Sequence, residues 1–329
     1  MTQSRFGPLR ASSAAVPFSP DMSKDLLAGV FAPVLTPFNA TLAPEPQSFI
    51  RFCGWLLDQD VGLAVFGTNS EANSLSVEER VTLLEALIDA GLPADRMMPG
   101  TGSPALSDAV KLSTAAARAG TAAVLMLPPF YYKPVSDDGL FAFYAETIER
   151  VGDQRLKICL YHIPQLSGVA ITLRLIEMLV KRYPATVVGI KDSGGDFANT
   201  RAMLDAFDGF RVFCGSERFL AETMRHGGAG CISACANINP AAIAEACRRH
   251  DEPCAQARQQ ALNATRDIFE NYPMIAALKH AVAHFGQCST FRLTRPPLLG
   301  LSADHASSLI ARLEAAGFAM PGLALALAD

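Results

Sequence analysis

With 329 residues, half of them hydrophobic, the chain has material for one large domain or two ordinary ones, and α/β barrels reach this length as single units. Its formal net charge of -4 at pH 7 removes the electrostatic case for nucleic acid or an anionic membrane as a partner. No apolar run is long enough to span a bilayer.

Residues 1–23 differ from the rest. Met1 to Pro20 carries Arg5 and Arg10, no acidic residue, and small residues including Ser12 and Ser13. That composition has the flavour of a transit peptide, and it equally fits a flexible extension or a start codon placed upstream of Met22. The segment is left out of the fold.

Short apolar runs then alternate with helical patterns. The first expected strand, 30–35, ends at Thr36-Pro37-Phe38, and 46–59 is helical. Strand 63–66 leads into Gly67-Thr68-Asn69-Ser70-Glu71. Ser76 and Glu79 form a capping-box signature for the next helix, which carries Val81, Leu84, Leu87 and Ile88 on one face. A short third strand, 96–99, ends at Gly100-Thr101-Gly102, and 107–119 is helical. Strand 122–127 runs into the loop 128–134, followed by a helix over 137–151. Strand five is 156–161, stopped by Pro164, with a helix over 172–182; strand six is 186–191, with a helix over 196–207. Strand seven, 210–214, is followed by Gly215-Ser216-Glu217 and a helix to His226, and strand eight, 231–234, by a helix over 240–250. Eight strands, each followed by a helix, make a (β/α)8 TIM barrel of class α/β. The partition expected is a flexible extension over 1–23, the barrel over 24–250, and a C-terminal helical region over 251–329.

The eight cysteines are scattered, with no C-x-x-C pair, and several fall in apolar strand-like runs. They read as reduced core thiols of a cytoplasmic protein rather than as a disulfide framework or a zinc site. His280 and His284 have i, i+4 spacing, but no Glu follows His280 and no third ligand is evident, so no metal is expected. Gly227-Gly228-Ala229-Gly230 precedes a strand, which places it at the stability end of a barrel, away from chemistry.

Val187-Val188-Gly189-Ile190 runs straight into Lys191, which puts the lysine at the C-terminal end of a buried strand, the face where barrels do chemistry. An amine walled by apolar side chains can lose its proton, and a neutral lysine forms Schiff bases with carbonyl substrates. Tyr161 ends the preceding strand, on the face it shares with Cys159 and opposite to His162. Adjacent strands lie about 4.8 Å apart, so the two side chains share one mouth if both point inward, pairing a nucleophile with a proton relay. The turn Gly67-Thr68-Asn69-Ser70-Glu71 lies at the same face and offers hydroxyls, an amide and backbone N–H groups suited to a carboxylate or an oxyanion. Each of these has a plain alternative: a solvated strand-end lysine, a rim tyrosine, an ordinary polar loop.

Taken together, Gly67-Thr68-Asn69-Ser70-Glu71, Tyr161-His162-Ile163-Pro164 and Gly189-Ile190-Lys191-Asp192 resemble the three signatures of the dihydrodipicolinate synthase / N-acetylneuraminate lyase family of class I aldolases. Arg295-Pro296-Pro297-Leu298 resembles a further family feature, and the similarity runs from about Gly29 to Gly317. The resemblance implies a barrel with a C-terminal helical region, acting on pyruvate or larger 2-oxo acids without metal or organic cofactor. It implies Lys191 as the Schiff-base lysine, Tyr161 as the proton relay, and Thr68 as the link to a second tyrosine, Tyr131, donated by a neighbouring subunit. Thr68, Asn69 and Ile232 would hold the pyruvyl carboxylate end. A homotetramer built as a dimer of dimers is implied as well.

Three departures bear on the substrate. Asn69 stands where the lysine-pathway synthase usually has its second threonine, and Ser70 where a glycine is usual. Leu166 replaces the arginine that in that synthase binds the carboxylate of aspartate semialdehyde, and a leucine makes no bidentate contact. Leu166-Ser167-Gly168-Val169 looks instead like the sialic acid lyase branch, and Asn69 with Lys191-Asp192-Ser193-Gly194-Gly195-Asp196 like 4-hydroxy-2-oxoglutarate aldolases. Ser193, Ser216 and Glu217 would lie at the mouth and bind substrate hydroxyls or a distal carboxylate, although Glu217 also suits a helix N-terminus. The expected activity is a Schiff-base lyase or aldolase that breaks or forms a C–C bond between pyruvate and an aldehyde, with a 4-hydroxy-2-oxo acid or a 2-keto-3-deoxy sugar acid as substrate. The rival readings are a dehydratase using the same imine, the lysine-pathway synthase, and a non-catalytic 2-oxo acid sensor.

Overall fold

The computed structural model describes residues 27–328, so the expectations for 1–23 lie outside the described residues. Seven parallel strands form one sheet: β1 Gly29–Ala32, β2 Gly62–Leu63, β3 Val124–Met126, β4 Ile158–His162, β5 Val187–Asp192, β6 Arg211–Cys214 and β7 Gly230–Ile232. Their order is β2-β1-β7-β6-β5-β4-β3. The eighth expected strand, third in sequence, is present only as single parallel bridges, from Leu63 to Met97 and from Gly100 to Leu125. Those bridges close the sheet. Met98 N–H donates to Leu63 O at 2.8 Å, and Leu125 N–H donates to Pro99 O at 2.9 Å, so the segment is bonded to both sheet edges. Pro99 has no N–H to give, which interrupts the ladder in mid-strand.

Strand periodicity splits the apolar core in two. Phe31, Leu125, Cys159, Tyr161, Phe213 and Ile232 form a cluster inside the ring of strands. Val30, Ala32, Val124, Leu160, Val212 and Cys231, their neighbours in sequence, join the larger cluster between strands and helices.

The helices follow their local signals. The helix Pro46–Asp58 starts with Pro at its first position and Glu45 accepting from Ser48 N–H at 2.7 Å. Before the helix Val77–Asp89, Ser76 Oγ accepts from Glu79 N–H and Glu79 returns the contact to Ser76 N–H, the capping box read from sequence. Asp137–Val151 is helical as expected, ending on Gly152 in the left-handed region. Past the helix Pro240–Arg248 come the helices Ala255–Phe269, Met274–Phe285, Ala303–Ala315 and Leu323–Leu327. Leu309, Leu313, Leu323 and Leu327 enter the same outer cluster as Phe52 and Trp55. All eight cysteines are free thiols and six of them are buried. Among the described residues no helix is long and apolar enough to cross a membrane.

Candidate active site

Lys191 on β5 stands in register with Tyr161 on β4 and with Phe213 on β6. In-register residues of parallel neighbours share a face, so the lysine points into the ring with the inner cluster. It is buried, and its Nζ lies 4.2 Å from the centre of the Tyr161 ring. Gly189, two residues earlier on the same face, has no room for a side chain, because a Cβ there would stand 2.4 Å from Arg211 O. Below Tyr161, burial pushes the Cys159 thiol well up, while the charge of Lys191 acts the other way. The sulfur therefore stays protonated.

Tyr161 OH and Thr68 Oγ1 are 3.1 Å apart, and either hydroxyl can donate. Thr68 and Asn69 ride on a tight turn in which Ser70 N–H donates to Gly67 O at 3.2 Å and Glu71 N–H to Thr68 O at 3.1 Å. The Ser70 hydroxyl accepts from Gly67 N–H at 3.2 Å, so a serine closes the turn from within.

His162 and Asp192 follow on the alternate face. The Asp192 carboxylate accepts from Gly194 N–H at 2.9 Å, from Asn199 Nδ2 at 3.0 Å and from the Thr200 hydroxyl at 2.7 Å. It thereby shapes the turn that carries Ser193. His162 Nδ1 accepts from Ile171 N–H at 3.0 Å, which leaves the ring proton on Nε2, 4.0 Å from Asp192 Oδ1. Burial holds the imidazole below the ordinary histidine range, with Asp192 pulling the other way.

A cavity of about 980 Å³ opens over these groups at the C-terminal ends of the strands. Thr68, Asn69, Tyr161, Lys191, Ser193 and Ser216 all line it, so six sequence candidates meet at one place. Ile232 does not line it. It is buried in the inner cluster on β7. Glu217 does not line it either, contrary to the position at the mouth expected for it. The single 3-10 turn Glu217–Phe219 carries its side chain inward, where its carboxylate meets the Ser233 hydroxyl and Arg266 Nη1, the latter at 2.8 Å. Arg266 faces the cavity in its place. Burial would lower the Arg266 pKa, but its neighbours, Glu217 foremost with Cys235 and Glu270, together outweigh burial and hold the guanidinium charged. Tyr131 lies outside the cavity of its own chain, 75% exposed, with Tyr132 edge-on at 5.3 Å.

Several lining residues escape sequence reasoning. Arg266 and Glu270, paired at 2.6 Å, have the i, i+4 spacing of an ordinary solvated helix face. Nothing local says that the helix Ala255–Phe269 returns to the barrel mouth. Arg218, which joins Glu270 at 2.6 Å, lines the same side, and Gln165 and Leu166 also line the cavity. Arg295 grips Glu79 with two hydrogen bonds of 2.8 and 2.6 Å and donates to Ser74 O and Leu42 O, both at 2.7 Å. That grip seats Pro297-Leu298-Leu299-Gly300 on the rim, and it holds the Glu79 carboxyl below the usual range. Of the two spaced histidines, His284 faces Glu314 at 3.8 Å, and among the described residues no group of three His, Cys, Asp or Glu could hold a metal ion.

Strands hydrogen-bonded into a closed parallel ring, with a buried lysine and tyrosine under one large cavity at their C-terminal ends, define an α/β-barrel protein whose site is built from βα loops. Among such proteins this chain belongs to the dihydrodipicolinate synthetase family, whose model matches residues 26–316. It is 34% identical over 293 residues to an uncharacterized DapA-like lyase of Chloroflexus aurantiacus, covering 87% of this chain and 96% of that one. It is 30% identical over 294 residues to the 4-hydroxy-tetrahydrodipicolinate synthase of Rhizobium meliloti, covering 88% and 98%. Among solved structures, dihydrodipicolinate synthase from Agrobacterium tumefaciens superposes with a TM-score of 0.81 at 27% identity, covering 87% and 98%. A prophage protein of the same family from E. coli K12, solved in complex with pyruvate, gives 0.81 at 26% identity, covering 89% and 99%.

Proposed function

We propose that this chain is a class I lyase that breaks or forms a C–C bond between pyruvate and an aldehyde through a Schiff base on Lys191. The observation that carries this reading is the buried Lys191 amine 4.2 Å from the Tyr161 ring, with Tyr161 hydroxyl-bonded to Thr68. In cleavage Lys191 Nζ attacks the C2 ketone and water leaves, giving the imine. Tyr161 takes the C4 hydroxyl proton, the C3–C4 bond breaks, an aldehyde departs, and its bonding electrons form an enamine on Lys191. Protonation at C3 and hydrolysis return the amine and pyruvate. Thr68 and Asn69 hold the carboxylate, and Thr68 passes the proton on toward Tyr131 of a second copy, whose exposed ring suits that use. A homotetramer and a cytoplasmic location belong to the same reading, the latter supported by the buried free thiols.

The substrate favoured is a 4-hydroxy-2-oxo acid or a 2-keto-3-deoxy sugar acid. Leu166 in the cavity wall supplies no cation for aspartate semialdehyde, so the lysine-pathway reaction is disfavoured. The test is product analysis on a panel of such acids. Equal release of pyruvate and aldehyde is expected. A dehydrated 2-oxo acid without pyruvate would identify a dehydratase, efficient condensation of pyruvate with aspartate semialdehyde would identify the lysine-pathway synthase, and binding without turnover a sensor.

A further inference from the structure

Lys191 is not the only buried lysine with a defined environment. Lys279, on the helix Met274–Phe285, has no exposed side-chain surface. Its Nζ donates to Glu71 Oε1 and, at 2.8 Å, to Thr36 O, and it lies 4.3 Å from the centre of the Phe38 ring. The other carboxylate oxygen, Glu71 Oε2, accepts from Arg295 N–H at 2.8 Å. Neither Lys279 nor Glu71 lines the cavity. A buried ion pair is a poor source of stability, since apolar residues of the same volume commonly do as well. The position of this one suggests what else it does.

Glu71 ends the turn that Phe66 begins, and the two carry φ of 58° and 59°. Bulky residues keep left-handed backbone only where their surroundings over-determine it. At the Glu71 end the surroundings are Lys279, Arg295 and Thr36, whose hydroxyl donates to Ser70 O at 2.8 Å. Between the two strained residues stand Thr68, which meets Tyr161 OH, and Asn69, which lines the cavity.

We propose that the Lys279–Glu71 pair is a positioning device: it fixes the Gly67-Thr68-Asn69-Ser70 turn from behind, setting Thr68 and Asn69 against Tyr161 and Lys191. Through Lys279, on the helix Met274–Phe285, and Arg295, on the loop that follows Arg292, it also makes the C-terminal region part of the active-site geometry. The inference rests on the roles given above to Thr68 and Asn69. Neither partner touches reacting atoms, so both are positioning residues. A displacement of the turn by about 1 Å is enough to cost on the order of 10²-fold in reactivity.

The test compares the whole chain with Lys279→Met/Glu71→Gln, which removes both charges so that none is left buried alone, and with the milder Glu71→Gln. Pyruvate with borohydride gives the half-saturating pyruvate concentration for labelling Lys191, and steady-state turnover gives kcat and KM. Each is measured with and without Tyr161→Phe. Expected are folded variants that still label Lys191 at saturating pyruvate. Half-saturation should rise about tenfold or more in the double variant and severalfold in Glu71→Gln, and Tyr161→Phe should cost less in the double variant than in the parent. A folded double variant with parental half-saturation, kcat and Tyr161→Phe cost would overturn the proposal and leave the pair structural. If the double variant does not fold, unchanged values in Glu71→Gln overturn it equally. Absence of labelling in the parent chain is a separate failure, that of the Schiff-base reading itself.

Discussion

At the scale of single residues, two contacts divide the labour expected of the site. Lys191→Met removes the amine placed against the Tyr161 ring and should abolish both pyruvate labelling and turnover. Tyr161→Phe keeps the aromatic wall and removes the hydroxyl that meets Thr68. It should still label Lys191 while turnover falls by about 10²–10⁴, the usual worth of a positioned acid–base group, as steady-state kinetics on the favoured substrate would show. His162 gives a pH prediction of known sign. Burial lowers its pKa in the folded state, so the folded chain binds fewer protons than the unfolded chain below the ordinary histidine value of about 6.5. Stability from this group is full above that value and is lost as pH falls through it toward the depressed one. His162→Asn, which can still accept from Ile171 N–H, should lose less stability between pH 7.5 and pH 5.5 than the parent in denaturant titrations; an equal loss would contradict the sign. Lys191, Tyr161 and the Thr68–Asn69 pair were legible in the sequence because strand periodicity and the order of the motifs fix them. Glu217 follows a strand, which reads as a place at the mouth, with a helix N-terminus as the plain alternative. Its inward turn depends on Arg266, 49 residues away, which no local pattern reports.

Among the elements, β5 and β6 are brought together by a missing side chain. A Cβ on Gly189 would lie 2.4 Å from Arg211 O, backbone that cannot step aside cheaply. Gly189→Ala should cost about 1–3 kcal/mol, as overpacking does, and it should also slow labelling of Lys191, which is two residues on along the same face. Denaturant unfolding and trapping rates measure the two effects, and an unchanged trapping rate would show that β5 absorbs the strain without moving the lysine. The short third strand shows why boundaries were less legible than the existence of elements. Its residues do bridge both sheet edges, but Pro99 cannot donate. The helix Ala255–Phe269 lies in the region 251–329, which reads as helical only as a whole, and its return to the cavity is not legible, because an amphipathic stripe states that a face is buried and not against what.

For the whole molecule, the C-terminal helices share the core of the barrel. The chain's single tryptophan, Trp55, stacks on Phe52 at 5.8 Å and donates from its indole N–H to Pro321 O at 3.0 Å. Its fluorescence therefore reports the docking of the C-terminal end onto the first barrel helix. Since Trp55, Phe52, Leu309 and Leu327 belong to one cluster with the strands' outer faces, tryptophan fluorescence and far-UV circular dichroism should give coincident unfolding curves. An earlier fluorescence transition would mean that the region 251–329 detaches as a separate unit.

The measurement to make first is borohydride reduction of the protein in the presence of pyruvate, followed by peptide mass mapping. A covalent three-carbon adduct on Lys191, absent without pyruvate and absent in Lys191→Met, is the result expected of a Schiff-base lyase. A folded protein that turns over substrate yet carries no adduct at Lys191, or carries it on another lysine, would contradict the mechanism proposed here.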